Sequence, residues 1–212
     1  MRTYEECLPC AVQQMIHLGR TITEDRDMRE EILRCTLSTL STCNFEHSPP
    51  FNASRLYNMA KEVTGVEDPF EGVKKECNDI MMSMYDELRT VVRESDDPFG
   101  TAVRLAIAGN IIDYGIAGLD SSEDIADSIR DQITSDLTID DSAELQERIR
   151  SAETVLYLGD NAGEAVIDKL FIEKFMKDNT VFAVKSEPII NDMTAKEAWN
   201  IGMNEVCEIV EN

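Results

Sequence analysis

The sequence predicts an α/β protein in two parts: a helical N-terminal domain, residues 1–152, and a doubly wound α/β domain, residues 153–212. Three observations lead there. Apolar residues recur at steps of three and four through the first two thirds of the chain, the period of helices that bury one face. β-prone runs gather near the C-terminus and alternate with helical segments, the order of a parallel sheet. The 212 residues, 42% hydrophobic, are enough to bury a real core.

The elements follow in order. Cys7, Ala11, Met15 and Leu18 mark a first helix, and Met28, Ile32, Leu33, Leu37 and Leu40 a second. Pro49 and Pro50 are expected to interrupt the chain before a short helix through Leu56, Met59, Ala60 and Val63. Asp68-Pro69 is a helix start, and Phe70, Val73, Cys77, Ile80, Met81, Met84, Tyr85, Leu88 and Val91 predict one long amphipathic helix behind it. Asp97-Pro98 opens another, through Val103, Ile107, Ile111 and Ile112. Ser121 or Ser122 caps a helix through Ile125, Ile129 and Ile133, and Leu145 and Ile149 mark the last of the helical part.

The period then changes. Residues 154–158 form a continuous β-prone run, as expected of a strand buried on both faces, and end at Gly159-Asp160. A helix from about Gly163 to Lys177, a strand over 180–184, a helix from Ala195 to about Ile201 and a strand over 205–210 complete β-α-β-α-β.

Charge and composition exclude several classes. The net charge is −22, from 42 acidic and 20 basic residues, so nucleic acid and anionic membranes are poor partners. A phosphorylated substrate then needs local positive charge, for which a metal ion is the obvious source; acidity also serves plain solubility. No run approaches the ~18 apolar residues of a membrane helix, and MRTYEECLPC is unlike a signal peptide. A cytoplasmic location is expected. Six Cys are too few for a disulfide scaffold.

In a doubly wound sheet, ligands sit beyond the C-terminal strand ends. Gly159-Asp160-Asn161-Ala162-Gly163-Glu164 follows the first strand directly, and Asn191-Asp192-Met193-Thr194 lies a few residues after the second. Parallel neighbouring strands bring Asp160, Asn161 and Asp192 together. Two carboxylates and an amide oxygen are hard donors suited to Mg, Mn or a similar divalent ion. Gly163 lets backbone approach a ligand, and the helix N-terminus behind it is expected to offer N–H groups to an anion. The alternative is that both aspartates are helix caps. Asn110 and Asp113 share a helix face, either lining the site or closing a helix-end hydrogen-bond network. Lys185, just after the second strand, either approaches a phosphate or is solvated. Cys7 and Cys10 form a C-x-x-C. With Cys35, Cys43, His17 and His47 they match no standard zinc spacing, and packed thiols compete with a metal or redox role. There is no G-x-S-x-G, P-loop or G-x-G-x-x-G.

These motifs resemble the metal-dependent damage-control phosphatases, long described as a domain of unknown function. The likeness runs through Cys7-Leu-Pro-Cys10, Asp68-Pro69-Phe70 with Lys74, and Ala108-Gly109-Asn110-Ile-Ile-Asp113. It continues in Gly159-Asp160-Asn161-Ala162-Gly163-Glu164 and Pro188-Ile-Ile-Asn191-Asp192-Met-Thr194, in the family's order. The C-x-x-C resembles the prokaryotic branch. The resemblance implies a helical domain beside a Rossmann-like three-layer α/β domain with a parallel-type sheet. It implies a divalent metal (Mn, Mg, Co or Ni) on Asp160, Asn161 and Asp192, and hydrolysis of small phosphorylated metabolites such as sugar phosphates. Asp160 is then the expected participant in phosphoryl transfer, with Asn110, Asp113 and Glu164 contacting substrate or the metal's surroundings. A carboxyl methyltransferase activity has also been proposed in the family. Members usually continue past the third strand with a Lys-Gly segment, which a chain ending at Asn212 lacks. The expectation is a truncated sheet whose exposed edge invites a homodimer, with impaired catalysis as the alternative.

Overall fold

The computed structural model describes residues 1–110, 129, 133, 135, 137–176 and 179–212. Asp113, the helix start expected at Ser121 or Ser122, and Lys177 lie outside the described residues. Residues Met1–Glu71 form one compact unit and Gly72–Asn212 another. The expected boundary near 152 divides the chain by type of secondary structure; these units divide it by packing.

The first unit holds α1 (Cys7–Ile22), α2 (Arg26–Leu40) and α3 (Pro49–Thr64). α2 packs on both of the others, around buried Met15, Leu18, Ile32, Leu56, Tyr57 and Ala60. The proline pair does not interrupt the chain. It opens the 16-residue α3, with Ser48 accepting the Phe51 N–H at 3.4 Å. A first-turn residue needs no backbone donor, so proline is at home there. All six cysteines are free thiols. Cys10 is exposed, and the Cys7 sulfur accepts the Tyr4 N–H at 3.5 Å.

The second unit starts in α4 (Glu71–Ser83), followed by α5 (Tyr85–Glu94), α6 (Pro98–Gly109) and α7 (Ser142–Ser151). The helix expected to run unbroken to Val91 is thus two. Its turn tightens at Met84, whose N–H bonds to the Met81 carbonyl only three residues back at 3.1 Å. The Ser83 hydroxyl donates to the Ile80 carbonyl at 2.6 Å, a back-bond that bends helices. Met84 keeps the apolar period across the break, which hides it from the pattern.

Then come β1 (Val155–Leu158), α8 (Glu164–Phe175), β2 (Thr180–Val184), α9 (Ala195–Asn200), a 3-10 turn at Met203–Glu205 and β3 (Glu208–Glu211). The strands form one parallel sheet in the order β1-β2-β3. β3 begins later than expected because Gly202, at φ 72°, turns the chain into the 3-10 segment. β1 is not buried on both faces. It is an edge strand, and Leu156 and Leu158 are 61% and 69% exposed. Its other side chains turn inward, where Tyr157 stacks on Phe182. α8 packs on α6, and Phe99, Leu105, Ile167, Phe171 and Phe182 belong to this unit's core. No described helix is long and apolar enough to cross a membrane.

Candidate functional site

Because β1 and β2 are parallel neighbours, the loops leaving their C-terminal ends lie side by side. Gly159 starts the first loop, and a Cβ there would overlap the Phe182 ring, so only glycine lets the chain pass. Beyond it the two loops are laced together. Asn161 and Asp192 face each other as an antiparallel bridge, and Lys185 and Thr194 as a parallel one. The Met193 N–H donates to the Asp160 carbonyl at 2.6 Å, Ala162 N–H to Asn191 at 2.9 Å, and Lys185 N–H to Met193 at 3.0 Å. Two segments some thirty residues apart are therefore held by backbone bonds alone, before any side chain is counted.

The second loop reaches this position through a tight turn, with Asp192 N–H bonded to the Ile189 carbonyl at 3.0 Å. Ile190 sits inside it at φ 49°. A β-branched residue in the left-handed region is a genuine outlier, and such strain gathers at functional loops.

Asp160 is exposed at the end of β1, and Asn161 is buried behind it. The Asn161 amide nitrogen donates to Asn110 Oδ1 at 3.4 Å and Glu164 Oε2 at 3.3 Å. Those contacts use the nitrogen and not the oxygen, the atom a cation would take. Asn110 caps the C-terminus of α6, and Glu164 opens α8. Lys185 Nζ stands 3.7 Å from Asp192 Oδ2, with the side chains 36% and 17% exposed. The described members of the expected set (Asp160, Asn161, Asp192, Asn110, Glu164 and Lys185) thus come together, while Asp113 lies outside the described residues. The N-caps are Gly163 for α8 and Thr194 for α9, so neither aspartate occupies a capping position.

One expectation changes. The start of α8 was expected to offer its amides to an anion, but the protein uses four of those in and just before it. Gly163 N–H donates to Asn78 Oδ1 at 2.7 Å, and the amides of Ala162, Ala165 and Val166 are bonded to Asn191, Asn161 and Gly163. Ala162, Gly163, Ala165 and Val166 are buried, so these donors need partners, and the chain supplies them itself.

Beside the loops, a groove of about 550 Å³ is lined by Asn110, Tyr157, Glu164 and Asp168 together with apolar side chains that include Ile107 and Leu156. Asp168 is only 2% exposed and accepts the Tyr157 hydroxyl. Burial pushes its carboxyl up to about 8; the Tyr157 hydrogen bond opposes this, and the charges of Glu164 and Asp160 add to it. The Tyr157 phenol is pushed up by burial and by Asp168.

Sequence reasoning missed this carboxyl and missed Asn78. It placed Lys74 in a motif without a role. Lys74 is completely buried, with Nζ 3.1 Å from Glu197 Oε1. The only sequence signal was their occurrence on otherwise apolar helix faces. Among the described residues, no three His, Cys, Asp or Glu side chains gather as a metal site; the expected set is two carboxylates and an amide.

Comparison with known proteins agrees with this architecture. Residues 3–212 match the family model described as the damage-control phosphatase ARMT1-like domain. The chain is 31% identical over 198 residues to a damage-control phosphatase of Archaeoglobus fulgidus, covering 91% of this chain and 67% of that protein. It is 29% identical over 214 residues to damage-control phosphatase PH1575 of Pyrococcus horikoshii, covering 99% and 73%. The crystal structure of the latter, a DUF89 family protein, superimposes with a TM-score of 0.88 over 100% of this chain and 74% of its own. Laced strand-end loops, a parallel sheet and a match along nearly the whole sequence place the chain in the damage-control phosphatase ARMT1-like family.

Proposed function

We propose that this chain is a metal-dependent phosphatase for small phosphorylated metabolites, with a divalent cation held by Asp160, Asn161 and Asp192. Family membership supports a phosphatase-type function in metabolite repair. The observation that carries the finer reading is the bridge of Asn161 against Asp192 across the ends of β1 and β2.

The residues present fit such an ion. Their donors are hard oxygens. A cation already stands here, since the Lys185 ammonium lies 3.7 Å from Asp192. A bound divalent ion would supply charge compensation for the phosphate and a Lewis acid for its oxygens.

The chain's own groups do the rest. Asp160, exposed at the strand end, meets the phosphoryl group directly. Asn110 and Glu164 hold the Asn161 amide by its nitrogen and so aim its oxygen. Glu164 also lines the groove, where it and Asn110 meet the remainder of the substrate. Lys185 pairs with the phosphate as a mobile cation. Its role grows because the amides at the start of α8 are engaged within the protein.

The test is hydrolysis of p-nitrophenyl phosphate and a panel of sugar phosphates by chelator-treated protein, with Mg, Mn, Co or Ni restored in turn. Activity that returns with metal and is lost in Asp160→Ala and Asp192→Ala supports the reading. Equal turnover in Asp160→Ala removes it. Metal uptake without turnover leaves a binding module.

A further inference from the structure

We infer that Lys74 and Asn78 are positioning residues that brace the two site loops from behind, an inference that rests on the metal reading above. They lie one turn apart on α4 and, with Met81, form its buried face. An i, i+4 pair shares one side of a helix, so both reach in the same direction.

Asn78 takes the first loop. Its Oδ1 accepts the Gly163 N–H at 2.7 Å, within the segment that runs from Asp160 into α8. Gly163 has φ 86°, and a Cβ there would come within 3.3 Å of the Cys77 Cβ, so the loop lies close upon α4. Lys74 takes the second loop. Its ammonium lies 3.1 Å from Glu197 Oε1. The other oxygen of that carboxylate accepts the Thr194 N–H at 3.1 Å and the Thr194 hydroxyl. Thr194 follows Asp192 by two residues and is bridged to Lys185.

Each loop of the site thus has a tie to the same helix face, one turn apart. The backbone bridges join the loops to each other, and α4 fixes where the joined pair stands. The ties are buried: Lys74 is 0%, Asn78 5% and Glu197 4% exposed. A buried ion pair adds little net stability compared with apolar packing, but it fixes direction. A purely structural pair is replaceable by a neutral one without consequence at the site, whereas a positioning pair is not.

The experiment titrates Co²⁺ into the apo protein by calorimetry and follows the cobalt visible spectrum, which reports ligand geometry. Circular dichroism melts run alongside. The variants are Asn78→Ala, Asn78→Asp, Lys74→Met/Glu197→Gln and the control Asp160→Ala. The double variant removes the charges and keeps an acceptor for Thr194. Expected is folded Asn78→Ala and double-variant protein that binds Co²⁺ at least tenfold more weakly with an altered spectrum. Asn78→Asp, which retains the acceptor, keeps the affinity. Unchanged affinity and spectrum in the first two variants overturns the inference, as does Asn78→Asp losing as much as Asn78→Ala. Loss of the folded state in either variant assigns that residue to the fold and overturns its half. A wild-type chain that binds no Co²⁺, or binds it as well with Asp160→Ala, fails the metal reading itself.

Discussion

Replacing Lys74 by methionine removes one charge of a buried pair and keeps most of the volume. The two side chains, 3.1 Å apart, are 0% and 5% exposed, so water cannot take the lost partner's place. Breaking one side of such a pair costs about 3–5 kcal/mol. At roughly 2–4 °C per kcal/mol for a chain of this size, the melting temperature should fall by about 6–20 °C. The loss depends on pH. Burial pushes the Glu197 carboxyl up, but the Thr194 hydrogen bond and the Lys74 charge outweigh it and hold the group below its ordinary range. In wild type, that contribution is present at neutral pH and fades only as acid protonates the group. Without Lys74 the carboxyl loses a charge that lowers it and should rise, so the variant should gain less stability than wild type as pH increases. Calorimetric melts at pH 5, 6.5 and 8 should show the deficit growing across the series, with Lys74→Met/Glu197→Gln recovering most of it. A variant melting within about 2 °C of wild type at pH 8 refutes the premise that the pair is sealed from water.

Other expectations follow from single contacts. Because Asp168 holds its proton up to about 8 while an unfolded aspartate releases it near ~4, stability should decline between those values as pH rises. Asp168→Asn should flatten that slope in urea titrations of apo protein, and an unchanged slope refutes the assignment. Gly159→Ala forces a methyl into the fully buried Phe182 ring and should cost about 1–3 kcal/mol in urea unfolding; no loss means that the ring yields. Lys185→Met should raise KM for p-nitrophenyl phosphate about fivefold, the value of a partly exposed charge contact, with little change in kcat. An unchanged KM removes Lys185 from the phosphate.

The parts of this molecule that could be read from sequence are those in which the determining residues lie close together along the chain. The alternation of strands and helices after residue 152 is local, and so is the position of Asp160 and Asp192 in the segments that follow β1 and β2. Parallel pairing then brings those loops together, as Asn161 against Asp192. What stayed hidden depends on distant partners. Asn78 and Gly163 are 85 residues apart, and nothing around Asn78 distinguishes a tie to a loop from an ordinary buried amide. The break at Met84 is hidden because the apolar period continues across it. The exposure of Leu156 and Leu158 depends on where β1 stands in the sheet, a property that its own four residues do not encode.

The engaged amides at the start of α8 bear on how so acidic a chain handles phosphate. A helix N-terminus recognises anions only with donors that the protein leaves free. Here Gly163 N–H goes to Asn78, and the amides of Ala162, Ala165 and Val166 are bonded to Asn191, Asn161 and Gly163. Of these, the Ala162 bond joins the two loops through their backbones, ahead of any contact between side chains. With a net charge of −22, attraction for a phosphate then falls to cations at the site, which among the described residues include Lys185, and to the proposed metal ion. Phosphate binding should therefore follow metal occupancy steeply, because fixed backbone dipoles are already committed to the fold.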